Sequence, residues 1–338
     1  MALGHPLTVG IDIGGTKVAA GVVDDDGNIV ARSRRQTPGS SARSTEDAIA
    51  EVVAEFRESY DVVAVGIGAA GWIDSSGASV MFSPHLAWRH EPLRDAVARR
   101  VRLPVVVEND ANAAAWAELR FGAGQGETTL VVVNLGTGIG GALVLDGALV
   151  RGRFGVAGEF GHMTVVPNGR RCECGNRGCW EQYASGNAIT REARELARNG
   201  SPVAADVLRR AGGDPEAVTG QIVTEAAKNG DPMSIELLEE VGRWLGFGIA
   251  NLASALDPGT FVVGGGVCEA GDLFLGPARD AYRRNLAGRG FRPEARILRA
   301  QLGNDAGIVG AADLARAQSG LLARVRRRQR STSVSSKL

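Results

Sequence analysis

One arrangement of residues occurs twice in this chain and restricts the fold more than any other feature. Thr8-Val9-Gly10-Ile11-Asp12-Ile13 is an apolar run that turns through Gly14-Gly15-Thr16-Lys17 and resumes at Val18 to Val23 before Asp24-Asp25-Asp26-Gly27. Leu130-Val131-Val132-Val133-Asn134-Leu135 does the same through Gly136-Thr137-Gly138, resuming at Ile139 to Leu145 before Asp146-Gly147. Each copy reads as strand, glycine turn, strand and second tight turn. A polar side chain stands two positions ahead of the turn in both, Asp12 in the first and Asn134 in the second. The repetition predicts two related domains, each opened by a β-hairpin.

The segments around the hairpins alternate in period. Ile49, Val52, Val53 and Phe56 fall at helical spacing after a cap expected at Ser44, with Asp47 three residues on. Val62 to Ile67 and Leu103 to Val107 are short apolar runs suited to buried strands, and Ala111 to Leu119 is an alanine-rich helix. Ser234 to Leu256 reads as a long helix stopped at Asp257-Pro258-Gly259, and Thr260 to Val263 as the next strand. Strands alternating with helices predict α/β lobes with buried, parallel or mixed sheets. At 338 residues the chain suits two lobes rather than one core.

Lys+Arg and Asp+Glu each total 38, so no global charge argues for a nucleic-acid partner. The one basic run, Arg324 to Arg330, leads into a Ser-rich end and reads as a solvated, disordered tail. No apolar stretch is long enough for a bilayer, and the N-terminus lacks the apolar region of a secretory signal. The final Ser336-Lys337-Leu338 spells a peroxisomal address, read here as coincidence. Three of the four cysteines cluster within eight positions, the spacing of a metal site in a reducing compartment.

Glycine turns bring backbone N–H groups and a Thr hydroxyl against phosphate oxygens, because no Cβ blocks the approach. An Asp on the strand before such a turn can hold Mg²⁺ through its water shell. A single hairpin of this kind is an ordinary turn; two matching copies argue for phosphate binding. The P-loop pattern is absent, and a β-branched strand follows Gly15 where a dinucleotide fingerprint needs a helix. Gly264-Gly265-Gly266 after Phe261-Val262-Val263 suits a nucleotide lying over a helix start.

Glu108-Asn109-Asp110-Ala111-Asn112 sets three polar residues between a strand and a helix. Asp110 is either a helix N-cap or a general base, and the segment alone does not choose. His162 with Cys172, Cys174 and Cys179 forms a Cys₃His set that suits a closed, structural Zn²⁺ site. Cys268 stands outside it and reads as a small buried apolar residue. Glu159 and Glu181 flank the set and suit bidentate binding of sugar hydroxyls, although either alone reads as a solvated surface acid.

Taken in order, Asp12-x-Gly14-Gly15-Thr16-Lys17, Glu108-Asn109-Asp110-Ala111-Asn112, Leu135-Gly136-Thr137-Gly138-Ile139-Gly140, Gly158-Glu159-Phe160-Gly161-His162, the Cys-x-Cys-Gly-x-x-Gly-Cys loop and Leu302-Gly303-Asn304-Asp305-Ala306-Gly307 resemble the ROK family (repressor, open reading frame, kinase) over residues 7 to 318. The resemblance is to its actinobacterial ATP-dependent glucokinases. It implies an α/β actin-like ATPase (ribonuclease H-like) fold, two duplicated lobes around a cleft. The lobes are expected at 7–117 and 118–300, the second carrying the zinc loop 162–179, with a helix at 301–318 returning to the first and a tail at 319–338.

The same resemblance implies Asp110 as base for the 6-hydroxyl of glucose. Asn109, Glu159, His162 and Glu181 would hold the sugar, with Gly71 lining the pocket. Asp12, Gly14, Gly15, Thr16, Lys17, Gly136, Thr137 and Gly138 would meet ATP with Mg²⁺, and Gly264, Gly265 and Gly266 the adenosine. His162 would bind zinc through one ring nitrogen and reach the sugar with the other. A cytoplasmic homodimer or homotetramer is expected. Asn304-Asp305 departs from the single acid of many relatives, so no ligand role is carried onto that pair.

A regulator of the same family would carry a helix-turn-helix domain ahead of the first hairpin, and only Met1 to Leu7 precede it here. Kinases for fructose, N-acetylglucosamine or N-acetylmannosamine differ in loop contacts that sequence does not position. Polyphosphate-dependent relatives generally lack the zinc loop. A sugar-binding protein with a degenerate nucleotide site fits poorly with intact hairpins.

Overall fold

A computed structural model describes residues 6–38, 41–83 and 86–320. The basic run from Arg324 and the Ser336-Lys337-Leu338 end lie outside the described residues. Two compact units divide the chain. One takes in the chain to Gln125, Leu149–Ala157 and the chain from Asn304; the other is Gly126–Ala148 with Gly158–Gly303. The division thus falls beyond helix Asp110–Phe121, and Leu149–Ala157 sits with the first unit.

The first unit is built on strands β1 (Leu7–Ile13), β2 (Lys17–Val23), β3 (Ile29–Gln36), β4 (Val62–Ala69) and, after three short strands β5 (Trp72–Ile73), β6 (Val80–Phe82) and β7 (Arg89–Glu91), β8 (Val105–Asn109). Their sheet order is β3-β2-β1-β4-β8, antiparallel across β3-β2-β1 and parallel across β1-β4-β8. The second five-stranded sheet repeats the plan with β9 (Leu130–Leu135), β10 (Ile139–Leu145), β11 (Ala148–Leu149), β12 (Thr260–Gly264) and β13 (Arg296–Arg299), in the order β11-β10-β9-β12-β13. Strands β9, β12 and β13 are again parallel. The duplicated hairpins are β1-β2 and β9-β10. Asp146 (φ 52°) and Gly147 (φ 72°) both take the left-handed conformation that a two-residue hairpin turn requires.

Val9, Ile11, Ile13, Val65 and Ile67 are wholly buried in the first core, each contributing roughly 1.5–3 kcal/mol. Helix Ala306–Gln318 covers the same sheet at glycines. A Cβ on Gly10 would overlap the Ile308 carbonyl, and one on Gly66 the Ala311 carbonyl. The helix therefore lies flush on β1 and β4. Its Arg316, 2% exposed, bonds Asp313 (2.9 Å), Thr8 Oγ1 (2.8 Å) and the Val23 carbonyl (2.8 Å).

Helix Ala42–Arg57 starts earlier than its spacing predicts. Ser41 is the cap: its Oγ accepts from Ser44 N at 3.1 Å, and Ser44 Oγ accepts from Ser41 N at 3.2 Å. Ser44 is thus the reciprocal partner three residues on, and Asp47 bonds Arg100 instead (2.9 Å). The long helix runs Pro232–Leu256, capped by Asp231 (2.9 Å to Ser234 N) and closed by Asp257 at φ 46°. Among the described residues no helix is long and apolar enough to cross a membrane.

Candidate active site and metal centre

In the first unit the polar residues converge on the carboxyl edge of β1, β4 and β8. Asp12 pairs across to Gly68, Gly68 to Glu108, and Ala69 to Asn109. Asn109 caps helix Asp110–Phe121: its Oδ1 accepts from Asn112 N at 3.0 Å. Its amide donates to the Gly71 carbonyl (3.1 Å) and to Asp110 Oδ1 (3.0 Å). The cap reading of Asp110 is therefore taken by its neighbour. Asp110 occupies the first helical turn, its carboxylate accepting also from Ala111 N (3.0 Å). A negative charge there is favoured by the helix dipole. Gly71 is fixed as well, since a Cβ would come within 2.5 Å of the Phe82 carbonyl.

Beneath this turn lies Glu108, to which sequence reasoning assigned no role of its own. Glu108 is 2% exposed and receives Asn109 N (3.1 Å), Asn112 Nδ2 (2.9 Å) and Arg151 Nε (2.6 Å). Its buried charge is thus paired and hydrogen-bonded, as burial demands. The signal available in sequence was an acid ending an apolar strand. Its partner, 43 positions on, carried none.

Asp12, next to last in β1, lies close to the exposed Gly15-Thr16 turn, and burial raises its carboxyl above the ordinary range although Lys17 opposes the shift. Gly14 N donates to the Lys17 carbonyl at 3.0 Å, closing the turn. Gly307 packs against Asp12; a Cβ there would approach Cγ to 2.9 Å. Asp305 forks onto Arg32 (2.5 and 2.8 Å), whose hydrogen bond holds the carboxyl below its usual range.

The second unit repeats this edge. Asn134 pairs with Gly264 as Asp12 pairs with Gly68. Gly136 and Thr137 are exposed, and a Cβ on Gly136 would meet nothing within 4 Å. The triglycine divides in its uses. A Cβ on Gly264 would strike Asn134 Oδ1, and Gly265 (φ 89°) lies against the Leu135 backbone. Only Gly266 of the three faces open space. A short 3₁₀ turn, Gly266–Ala270, follows before helix Asp272–Asn285.

His162, Cys172, Cys174 and Cys179 bring their ligand atoms within 4.8 Å of one another. Cys174 Sγ lies 3.6 Å from Cys179 Sγ, and Cys172 Sγ 3.7 Å from His162 Nδ1. A tetrahedron with Zn–S bonds of about 2.3 Å has S···S edges of about 3.8 Å, so the set fits zinc. Cys172 and Cys179 are buried, which raises both thiols; metal binding must therefore displace their protons. His162 Nε2 lies 3.8 Å from Glu159 Oε2, while Nδ1 is 3.5 Å from Glu181 Oε1. Cys268 is buried apart from the cluster, where burial pushes its thiol up to about 12.

The structure thus gathers Asp12, Gly14, Thr16, Lys17, Gly71, Asn109 and Asp110 in the first unit. It gathers Glu159, His162, Glu181 and the three cysteines in the second, alongside Gly136 to Gly138.

Against known proteins, the ROK family model matches residues 8–318. The chain is 51% identical over 311 residues to the glucokinase of Streptomyces coelicolor, covering 92% of this chain and 98% of that protein. A ROK family glucokinase from Streptomyces griseus, solved with glucose and AMPPNP, superposes with a TM-score of 0.83 at 54% identity, covering 92% of this chain and 99% of that one. A ROK hexokinase from Thermus thermophilus gives 0.77 at 35% identity, covering 93% and 99%.

Proposed function

The chain belongs to the ROK family, and from that membership we propose that it transfers the γ-phosphoryl group of ATP to the 6-hydroxyl of glucose, giving glucose 6-phosphate and ADP. The observation that carries this reading is similarity over nearly the whole chain to glucokinases, one of them solved with glucose and a non-hydrolysable ATP analogue.

Asp110 accepts the proton of the 6-hydroxyl as the oxygen attacks the γ-phosphorus and the bond to ADP breaks. Asn109 holds the Asp110 carboxylate in place, and Glu159, His162 and Glu181 are the second unit's candidates for sugar hydroxyls. Such a base typically supplies ~10²–10⁴-fold, while positioning and charge stabilisation carry the larger share. The exposed Gly15-Thr16 and Thr137 offer N–H and hydroxyl donors to phosphates, the Gly14 and Gly136 N–H groups being bonded within their own turns, and Gly266 stands open toward the adenosine. Asp12 would hold Mg²⁺ through water, and that ion supplies charge neutralisation at the phosphates when bound. Zinc, when bound by His162, Cys172, Cys174 and Cys179, fixes the loop from which His162 projects. A cytoplasmic homodimer or homotetramer completes the reading; thiolate ligands suit a reducing compartment.

The test is ADP release with ATP against glucose, fructose, N-acetylglucosamine and N-acetylmannosamine, repeated with polyphosphate as donor. Glucose is expected to give the highest kcat/KM and ATP to be the preferred donor. A preference for another hexose would transfer the activity to that sugar. Operator DNA binding without ATP turnover would overturn the enzyme reading altogether.

A further inference from the structure

We infer that Gly138 is a positioning residue for the sugar ligand Glu181 rather than a phosphate contact, an inference that rests on the glucose reading above. The two glycines of the second hairpin turn have different surroundings. A Cβ on Gly136 meets nothing, as a phosphate-facing position should. A Cβ on Gly138 would land on Glu181 Oε2, with Cδ at 3.5 Å. Neither glycine has a left-handed φ, so backbone conformation does not demand glycine at either place. What excludes a side chain at Gly138 is the carboxylate lying over it.

The seat is built from several contacts. Ile139 N donates to Glu181 Oε2 at 3.4 Å, and His162 Nδ1 lies 3.5 Å from Oε1. The residues after Glu181 dock on the same turn: Gly186 N donates to the Gly136 carbonyl (2.9 Å) and Asn187 N to the Thr137 carbonyl (3.3 Å). Glu181 is held between the Cys/His cluster and the turn, and its side chain is 16% exposed. A methyl group at Gly138 meets the far end of a flexible side chain, so the protein yields by moving the carboxylate. Displacing a substrate ligand by about 1 Å can cost up to about 10²-fold.

The experiment is steady-state kinetics on Gly138→Ala and Gly136→Ala, with melting temperatures to verify folding. Gly138→Ala is expected to raise the glucose KM about tenfold or more while the ATP KM stays within about twofold. Gly136→Ala is expected to show the reverse split. Adding Gly138→Ala to Glu181→Ala should leave the glucose KM nearly where the single Glu181→Ala variant puts it, because the struck group is gone. A Gly138→Ala effect on ATP alone, on both substrates equally, or on neither overturns the inference. So does a full glucose effect persisting in the Glu181→Ala background. If the unmutated protein does not phosphorylate glucose, the functional reading falls first and takes this one with it.

Discussion

Asn109 and Asp110 share two tasks that either side chain is chemically fit to perform, and the backbone assigns them. Asn109 has the extended conformation of a cap and Asp110 already lies in the helix. Asp110→Asn should therefore lower kcat by roughly 10²–10⁴-fold while sparing glucose affinity, measured by calorimetry, and the melting temperature. Asn109→Ala should cost about 1 kcal/mol in denaturant unfolding. Asp12 gives the opposite pairing of effects. Its folded carboxyl titrates above the unfolded value because burial disfavours the charge. Native stability is therefore highest below the unfolded value, near 3.9, and declines as pH rises through the folded one. Asp12→Asn lacks that decline. The metal-free variant should melt above the unmutated protein, by a margin that widens as pH rises above about 4, while its phosphorylation is lost. A margin that shrinks with pH would contradict the buried-carboxylate account.

Elements are placed by contacts that their own periodicity does not contain. The strand and helix around Glu108 are legible as an apolar run and an alanine-rich segment, but the Arg151 that neutralises Glu108 comes from Leu149–Ala157. Arg151→Ala should cost about 1–3 kcal/mol in urea unfolding and lower kcat, because a buried carboxylate loses its partner beneath the Asp110 turn. Helix Ala306–Gln318 lies so close to β1 and β4 that Gly66→Ala would drive a methyl into the Ala311 carbonyl. A loss of about 3 kcal/mol or more is expected, seen as a lower melting temperature. The cap of helix Ala42–Arg57 shows a subtler limit. Ser41 and Ser44 are both competent caps by type, and only the extended backbone at Ser41 selects the first.

At the scale of the molecule, two units repeat one sheet plan, and the second carries a cysteine cluster that its own apolar core does not need for strand pairing. Cys174→Ser should release zinc, measured by atomic absorption, and raise the glucose KM through His162 and Glu181; unchanged zinc content and KM would separate the cluster from the sugar ligands. The sequence by itself determined the duplicated hairpins, the α/β class and the Cys₃His set. Each is written in local spacing, where the period of apolar residues and the reach of a few residues suffice. Only the tertiary structure decided which residue caps the helix at Asp110, which glycines face open space, and that Gly307 lies on Asp12 while Glu181 covers Gly138. Those pairings join residues brought together by chain return. A glycine spared a Cβ for a ligand and one spared it for a neighbouring carboxylate are the same letter in a sequence.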